Sequence, residues 1–477
     1  MNRSCTGLSI RKRGILWLLA CLLAIPYLSA RSYADAERQL PRYVRLVILH
    51  TNDVHGHMFP FSYGDEKDVG GVARRATMIE EMRSQCKDAL LVLDAGDVFT
   101  RGPLANAYKG EPDIAVLNAI GYDALAIGNN EYKGDEGLAG QKIMFERIKQ
   151  VQFPVLCGNC TYKDTGKPIV PPFTIIQQNG LKVGIFSVTA PRAATYPQAE
   201  GLSIEDPIQA AERIVPTLKN EADVIVALTH IGYDLDKQLA AQVPDIDIIV
   251  GGDSHTWLYH PELIRASSNQ DAFWVGGPII VQDGEWGKCL GELTAVLRLQ
   301  GEHDYQVMSY TGELVPVTST TQPSKKIESL LTKYSKPFEK VIGESDRSLS
   351  KAEMDAWMAD VFRSIGKAQV GISQVGNCEN VIEKGPITRL DLMMVPVYDN
   401  MLVTGQISGK TLRVLMSDKT VVVRGIEQVD GNAAYSVCTQ DFLTLTIPAF
   451  KDLKFQPLGM TIREALEQYV TRQQTTN

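Results

Sequence analysis

Val44-Arg-Leu-Val-Ile-Leu49 runs straight into His-Thr-Asn-Asp53-Val-His55. An apolar run this short, stopping at carboxylate and imidazole side chains, reads as a buried strand that delivers those groups to one edge of a sheet. Four other stretches repeat the plan. The run 90–93 precedes Gly96-Asp97, 123–127 precedes Gly128-Asn129-Asn130-Glu131, 224–228 precedes Thr229-His230, and 246–250 precedes Gly252-Asp253-Ser254-His255. Between these runs, amphipathic periodicity predicts helices over 72–84, 105–120, 137–150 and 207–220. Strand-like and helical stretches that alternate in this way predict a layered α/β domain from Tyr43 to about Pro316.

The rest of the chain divides around that domain. The polar, turn-rich stretch Thr318-Ser-Thr-Thr-Gln-Pro-Ser324 reads as a linker, 325–340 as a connecting helix, and 341–477 as a second, smaller unit. At the other end, Arg11-Lys12-Arg13, an apolar run over 14–28 and small residues at Ala30 and Ala34-Asp35-Ala36 have the plan of a secretory signal peptide over 1–36. Lipidation at Cys21 and an uncleaved anchor are the alternatives to cleavage. No later run is long enough to span a membrane, so the mature chain is expected in the periplasm or secreted, without a transmembrane segment, as a monomer or weak dimer. Loss of 1–36 removes five basic groups and one acidic group and moves the formal charge from −8 to −12. So acidic a surface argues against a nucleic-acid polymer as partner. Six cysteines remain, among them Cys157-Gly-Asn-Cys160, whose spacing suits a tight-turn disulfide or buried thiols better than a redox centre without thioredoxin-like context.

Asp53, His55, Asp97, Asn129, His230, Asp253 and His255 together form a mixed oxygen and nitrogen donor set. Such a set suits Mn, Zn, Fe or Mg rather than a thiolate-loving metal. The two oxygens of a buried Asp such as Asp97 can bridge two cations. Two ions roughly 3.5–4 Å apart would acidify a water between them and neutralise the attacking and leaving oxygens of an in-line displacement. The chemistry implied is hydrolysis of an ester of a charged oxyanion.

These motifs, with Gly70-Gly-Val-Ala-Arg74, Gln282-Asp-Gly-Glu-Trp-Gly-Lys288 and Lys384-Gly-Pro-Ile-Thr388, resemble the secreted bacterial 5′-nucleotidase family of calcineurin-like metallophosphatases. The resemblance implies a four-layer αββα metallophosphoesterase domain over 42–320, a linker helix over 321–340, and a smaller α+β substrate-binding domain over 341–477. It implies two divalent metal ions: one on Asp53, His55 and His255, the other on Asn129, His230 and Asp253, with Asp97 between them. Family members usually have His where Asp253 stands, and the harder, anionic ligand favours Mn and is expected to lower the net positive charge of the site.

Other departures bear on catalysis and specificity. The family's catalytic His and Asp are replaced by Asn130 and Lys133, which become the candidate catalytic residues. The Arg of its phosphate-gripping Gly-Gly-Ile-Arg is replaced by Glu379, a carboxylate expected to repel an anion. Tyr398, Asn400 and Phe442 match substrate-binding positions, but Thr446-Ile447-Pro448 stands where a ribose-contacting Gly-Gly-Asp is usual. The expected substrate is therefore a small phosphoester, with nucleotide specificity in doubt. Alternatives are a thiosulfohydrolase-like sulfur-ester hydrolase and a non-catalytic metal- or ligand-binding descendant.

Overall fold

The structure, a computed structural model, describes residues 42–64, 66–133, 140–265, 275–301 and 304–476. The leader expected over 1–36 lies outside them. In chain order β1 (Tyr43–Thr51), β2 (Leu90–Asp94), β3 (Ala124–Ala126) and β4 (Val155–Leu156) form the parallel part of one sheet. A second sheet takes β5 (Phe173–Gln178), β6 (Leu181–Thr189), β7 (Val224–His230), β8 (Ile248–Val250), β9 (Glu262–Leu263) and β10 (Ile279–Val281). Strands β11 (Cys289–Gly301) and β12 (Asp304–Pro316) return to the first, β11 pairing antiparallel with β1 from Tyr43 opposite Arg298 to His50 opposite Gly291.

Side chains alternate across each strand, and here both faces are covered, which is why the runs are apolar throughout. Leu46 and Ile48 of β1 and Leu91 and Leu93 of β2 share one core with Val183 and Ile185 of β6 and Val224, Val226 and Leu228 of β7. The intervening Val47, Leu49 and Val92 pack outward on Ile79 of helix α1 (Val72–Cys86) and on Ile114 and Leu117 of α2 (Glu111–Ile120). The short helix α3 (Asn129–Lys133) follows β3. On the far side, Phe186, Ile225 and Ala227 pack on Ile214 and Leu218 of α4 (Pro207–Glu221) and Leu239 of α5 (Tyr233–Gln242). The result is the expected αββα stack.

The single helix expected over 105–120 is two, Pro103–Tyr108 and Glu111–Ile120. Lys109 and Gly110 both have left-handed backbone, and Pro112 has no N–H to continue a helical ladder. The connecting helix, α6 (Lys325–Ser335), ends in a 3₁₀ turn and buries Ile327, Leu331 and Tyr334 in the outer core of the first sheet.

The C-terminal unit is built on a five-stranded sheet of β13 (Val370–Gln374), β14 (Met401–Ser408), β15 (Val421–Arg424), β16 (Ala434–Gln440) and β17 (Phe455–Thr461). Its order is β15-β13-β16-β14-β17. Met358 and Phe362 of α7 (Lys351–Ile365) and Leu466 of α8 (Ile462–Thr476) cover one face, packing on Leu402 and Cys438. Leu412 and Leu415 cover the other, against Ile372 and Val437. All six described cysteines are buried free thiols, so Cys157 and Cys160 answer to the buried-thiol reading.

Candidate metal centre

Each ligand stretch leaves its strand and turns at once. Five of the seven expected ligands have positive φ: Asp53 at 49°, His55 at 48°, Asp97 at 59°, Asp253 at 81° and His255 at 53°. Left-handed backbone at a non-glycine residue costs on the order of 1–3 kcal/mol and persists where its surroundings over-determine it, as at functional sites. Asp53 and His55 therefore do not share a strand face; they sit in the turn after β1, fixed by Asp53 N–H to Gly96 O at 2.9 Å and His55 N–H to Asp97 O at 2.9 Å. Close approach completes the frame. A Cβ on Gly128 would lie 2.1 Å from Asp97 Oδ1.

All seven side chains converge. Asp53 Oδ1 lies 3.2 Å from His255 Nε2 and 3.8 Å from both His55 Nε2 and His230 Nε2. Asp97 Oδ2 is 3.8 Å from His55 Nε2 and 3.3 Å from His230 Nε2. His230 Nε2 is 3.2 Å from Asn129 Oδ1 and 3.6 Å from Asp253 Oδ1. Donor atoms of Asp53, His55 and His255 form one compact group, and those of Asp53, Asp97 and His230 another. Asp53 is thus as central as Asp97, the residue expected to bridge.

Two observations fit these groups to cations. Asp53 Oδ1 is fully buried and its near neighbours are the Nε2 atoms of His255, His55 and His230, so a cation would complete it once those imidazoles are neutral. The histidines are also oriented as ligands: His230 Nδ1 donates to Ala95 O at 2.7 Å and His255 Nδ1 pairs with Glu285 at 2.7 Å, leaving both Nε2 atoms aimed inward.

The electrostatics agree. Burial opposes the charge on His255, yet Asp53 and Glu285 outweigh it and raise its pKa to about 10. Burial likewise opposes charge on His230, which Asp97 and Asp53 hold well above the usual imidazole range. His55 goes the other way, lowered to about 3 by burial and then by Arg101, and is a neutral ligand throughout. Burial raises Asp97, but His230, His55 and Arg101 prevail and keep it well below the carboxylate range. Behind it Glu131, raised to about 8 by burial and by Asp97, accepts the backbone N–H groups of Asp97, Val98 and Gly128 at 3.0, 2.7 and 2.8 Å.

Sequence reasoning missed two arginines. Arg192 grips both oxygens of Asp253, with Nη1 to Oδ2 at 2.5 Å, and also donates from Nη2 to Asn129 Oδ1 at 2.9 Å. The charge that Asp253 was expected to subtract is therefore balanced on the spot. Arg101, also in left-handed backbone at φ 74°, donates to Asn130 Oδ1 at 2.9 Å and lies 5.6 Å from the Tyr398 ring centre. Arg192 does follow a strand, in the turn after β6, but arginine is not a metal-ligand type, and Arg101 follows no strand directly.

The remaining expected residues fare unevenly. Asn130 is at the centre, but its amide N–H donates to Asp97 Oδ2 and its oxygen is held by Arg101. Lys133 closes α3, and its side chain lies outside the described residues. Tyr398 reaches the centre through Arg101, whereas no described contact joins Asn400 or Phe442 to the ligand set; Phe442 is exposed on the helix Asp441–Thr446. Glu379 lines a small cleft between the domains together with Arg101 and Arg463. It is buried against His57 Nε2 at 3.0 Å, across the two domains.

Comparison with known proteins gives the same picture. The calcineurin-like phosphoesterase family matches residues 46–257, and the 5′-nucleotidase C-terminal domain matches 338–443. A 5′-nucleotidase of Vibrio cholerae is 28% identical over 422 residues, 77% of this chain and 74% of its own length. Among solved structures, the 5′-nucleotidase precursor of Thermus thermophilus superposes with a TM-score of 0.67 at 23% identity, covering 90% of this chain and 97% of that one. The sulfate thiohydrolase SoxB of Thermus thermophilus superposes with a TM-score of 0.65 at 18% identity, covering 91% and 95%. At these identities the two superpositions speak to fold alone. Matched in both halves, the chain belongs to the calcineurin-like phosphoesterases that carry a 5′-nucleotidase C-terminal domain.

Proposed function

We propose that this chain is a secreted, dimetal-dependent hydrolase of small phosphoesters, with a specificity different from that of the usual nucleoside monophosphatases. The observation that carries the reading is that donor atoms of Asp53, His55, His255, Asp97 and His230 form two compact groups sharing buried Asp53, with Asn129 and Asp253 joined to them through His230 Nε2. Asp53, His55 and His255 would hold one cation and Asn129, His230 and Asp253 the other, with Asp97 reaching toward both. When bound, such ions supply Lewis acidity and an activated water, Mn being favoured by the oxygen-rich donor set.

The chain's own groups do the rest. Glu285 and Ala95 O hold the two histidines in the ligating orientation. Arg101 brings a guanidinium fork to Asn130 and Arg192 one to Asn129 and Asp253, groups suited to binding a tetrahedral oxyanion. With Glu379 held in its contact with His57, they are the anion-binding groups in place of the missing arginine. Asn130 does not replace the absent His as a proton donor, since it is held by Asp97 and Arg101 and an amide carries no transferable proton. Esters whose leaving group departs as a stable anion, such as aryl phosphates and phosphoanhydrides, are therefore the favoured substrates.

Phosphate release by the purified mature protein with Mn²⁺, over a panel of p-nitrophenyl phosphate, nucleotides and sugar phosphates, tests this against an Asp97→Ala control. Metal-dependent turnover absent from the control is the expected result. Bound metal without turnover on any member would instead support a binding protein.

A further inference from the structure

The two halves of the donor set are in different states. Around Asp53, His55 and His255 no guanidinium or ammonium holds a ligand atom: the contact to Asp53 Oδ1 is His255 Nε2 at 3.2 Å, itself a candidate ligand. Around Asn129, His230 and Asp253, both oxygen ligands are already engaged. Arg192 holds Asp253 through both guanidinium ends, a bidentate fork on a carboxylate whose side chain is only 5% exposed, and it reaches Asn129 Oδ1 as well. The other end of the Asn129 amide is also fixed, donating to Tyr196 Oη at 3.0 Å. Arg192 and Tyr196 come from one segment, a 3₁₀ turn Pro191–Thr195 that follows β6 and the residue just after it. One short stretch thus clamps two of the three donors that would hold the second cation.

We infer that Arg192 is an internal cation at the second metal position. The free protein takes up one divalent ion at Asp53, His55 and His255, and Asp253 and Asn129 become available to another only when the guanidinium leaves them. The exchange partner is the substrate's own oxyanion. Arg192 is half exposed, and its fork matches phosphate oxygens as well as carboxylate oxygens, so an arriving phosphoester can draw it off Asp253. The Asp253 and Arg192 pair is then one device, a ligand and the cation that guards it, and the dimetal state is assembled by substrate. This deepens the reading of the centre as a dimetal site and rests on it.

Metal stoichiometry, which needs no turnover, tests the idea. Metal-stripped full-length mature protein is titrated with Mn²⁺ by calorimetry, and bound Mn²⁺ is followed by electron paramagnetic resonance. The wild type is expected to take one tight equivalent with an isolated-ion spectrum, its second binding at least tenfold more weakly. Arg192→Ala is expected to take two equivalents of similar affinity with a spin-coupled spectrum. Asp253→His, which removes the guanidinium's carboxylate while keeping a ligand, is expected to do the same and covers the case of a misfolded first variant. Inorganic phosphate added to the wild type is expected to tighten the second equivalent, and much less so in Arg192→Ala. Two equal tight equivalents in the wild type, or one equivalent in both variants, would overturn the inference while leaving a metal centre standing. No uptake at all by the wild type would overturn the metal centre with it.

Discussion

Asn130 has both ends of its amide engaged inside the protein, the N–H₂ on Asp97 and the oxygen on Arg101 Nη2 at 2.9 Å. One amide N–H is spent on Asp97, the other can at most hydrogen-bond to a departing oxygen, and an amide delivers no proton in any case. A positioned acid contributes about 10²–10⁴-fold where the leaving group needs one. Hydrolysis of a series of substituted phenyl phosphates should therefore slow steeply as the pKa of the phenol rises. Asn130→His should flatten that dependence and raise turnover chiefly for the poorest leaving groups; parallel lines for the two proteins would sink the argument. All seven candidate ligands and Asn130 were legible because each follows an apolar run that needs no polar residue at its end. Arg101 and Arg192 were not, since a lone arginine in a loop is ordinarily a solvated charge, and only the folded chain reveals what it touches. The same residues carry a pH argument. His255, raised to about 10, and His230, held well above the usual range, are both charged at pH 7.5 without metal, whereas ligation requires them neutral. Filling both positions should release close to two protons per chain, and affinity should rise with pH until His255 titrates. Calorimetry in buffers of different ionisation enthalpy measures the number, and a value near zero would contradict the assigned charges.

At the scale of elements, the alternation of strands and helices was plain in the sequence because both sheets are covered on both faces. What periodicity could not convey is the backbone after each strand. Residues two apart on a strand face alike, but Asp53 and His55 come together through left-handed turns instead. The turns of two strands also have to interlock, which puts Gly128 hard against Asp97. A Cβ there would sit 2.1 Å from Asp97 Oδ1 and 2.5 Å from Asp97 N, so either the strand end or the carboxylate must move. Gly128→Ala should lower stability by about 1–3 kcal/mol, as overpacking does. It should also weaken Mn²⁺ uptake, since moving Asp97 Oδ1 turns the carboxylate whose Oδ2 faces His55 and His230. Melting with and without Mn²⁺ separates the effects: the metal-induced rise in melting temperature should shrink in the variant, and an undiminished rise would show that the turn tolerates the methyl.

The contact that most affects the whole molecule is made by Glu379, which stands where the sequence resemblance expects a phosphate-gripping arginine. His57 stacks on Trp286 with ring centres 4.5 Å apart, its Nδ1 lies 3.0 Å from Val54 O, and its Nε2 meets Glu379 at 3.0 Å. The two side chains come from different domains and both are buried. Arg463 Nη2 donating to Arg101 O at 3.3 Å and Lys351 Nζ donating to Ser62 O at 3.3 Å join the domains nearby. Glu379 therefore acts as a clasp holding the C-terminal domain beside the metal centre, where Arg101 meets Tyr398. Removing one partner of a buried pair strands the other and costs about 3–5 kcal/mol. An arginine at 379, the residue usual in the family, would put a bulkier cationic donor against the His57 ring in place of the carboxylate that meets its Nε2. Glu379→Arg should thus separate the domains while leaving each core intact. Calorimetry should resolve two unfolding transitions in place of one, and small-angle scattering should show a larger radius of gyration. Glu379→Gln, which can still hydrogen-bond to His57, should change both far less. An unaltered radius and a single transition in Glu379→Arg would mean that the backbone contacts and the packing of α6 hold the domains without the clasp.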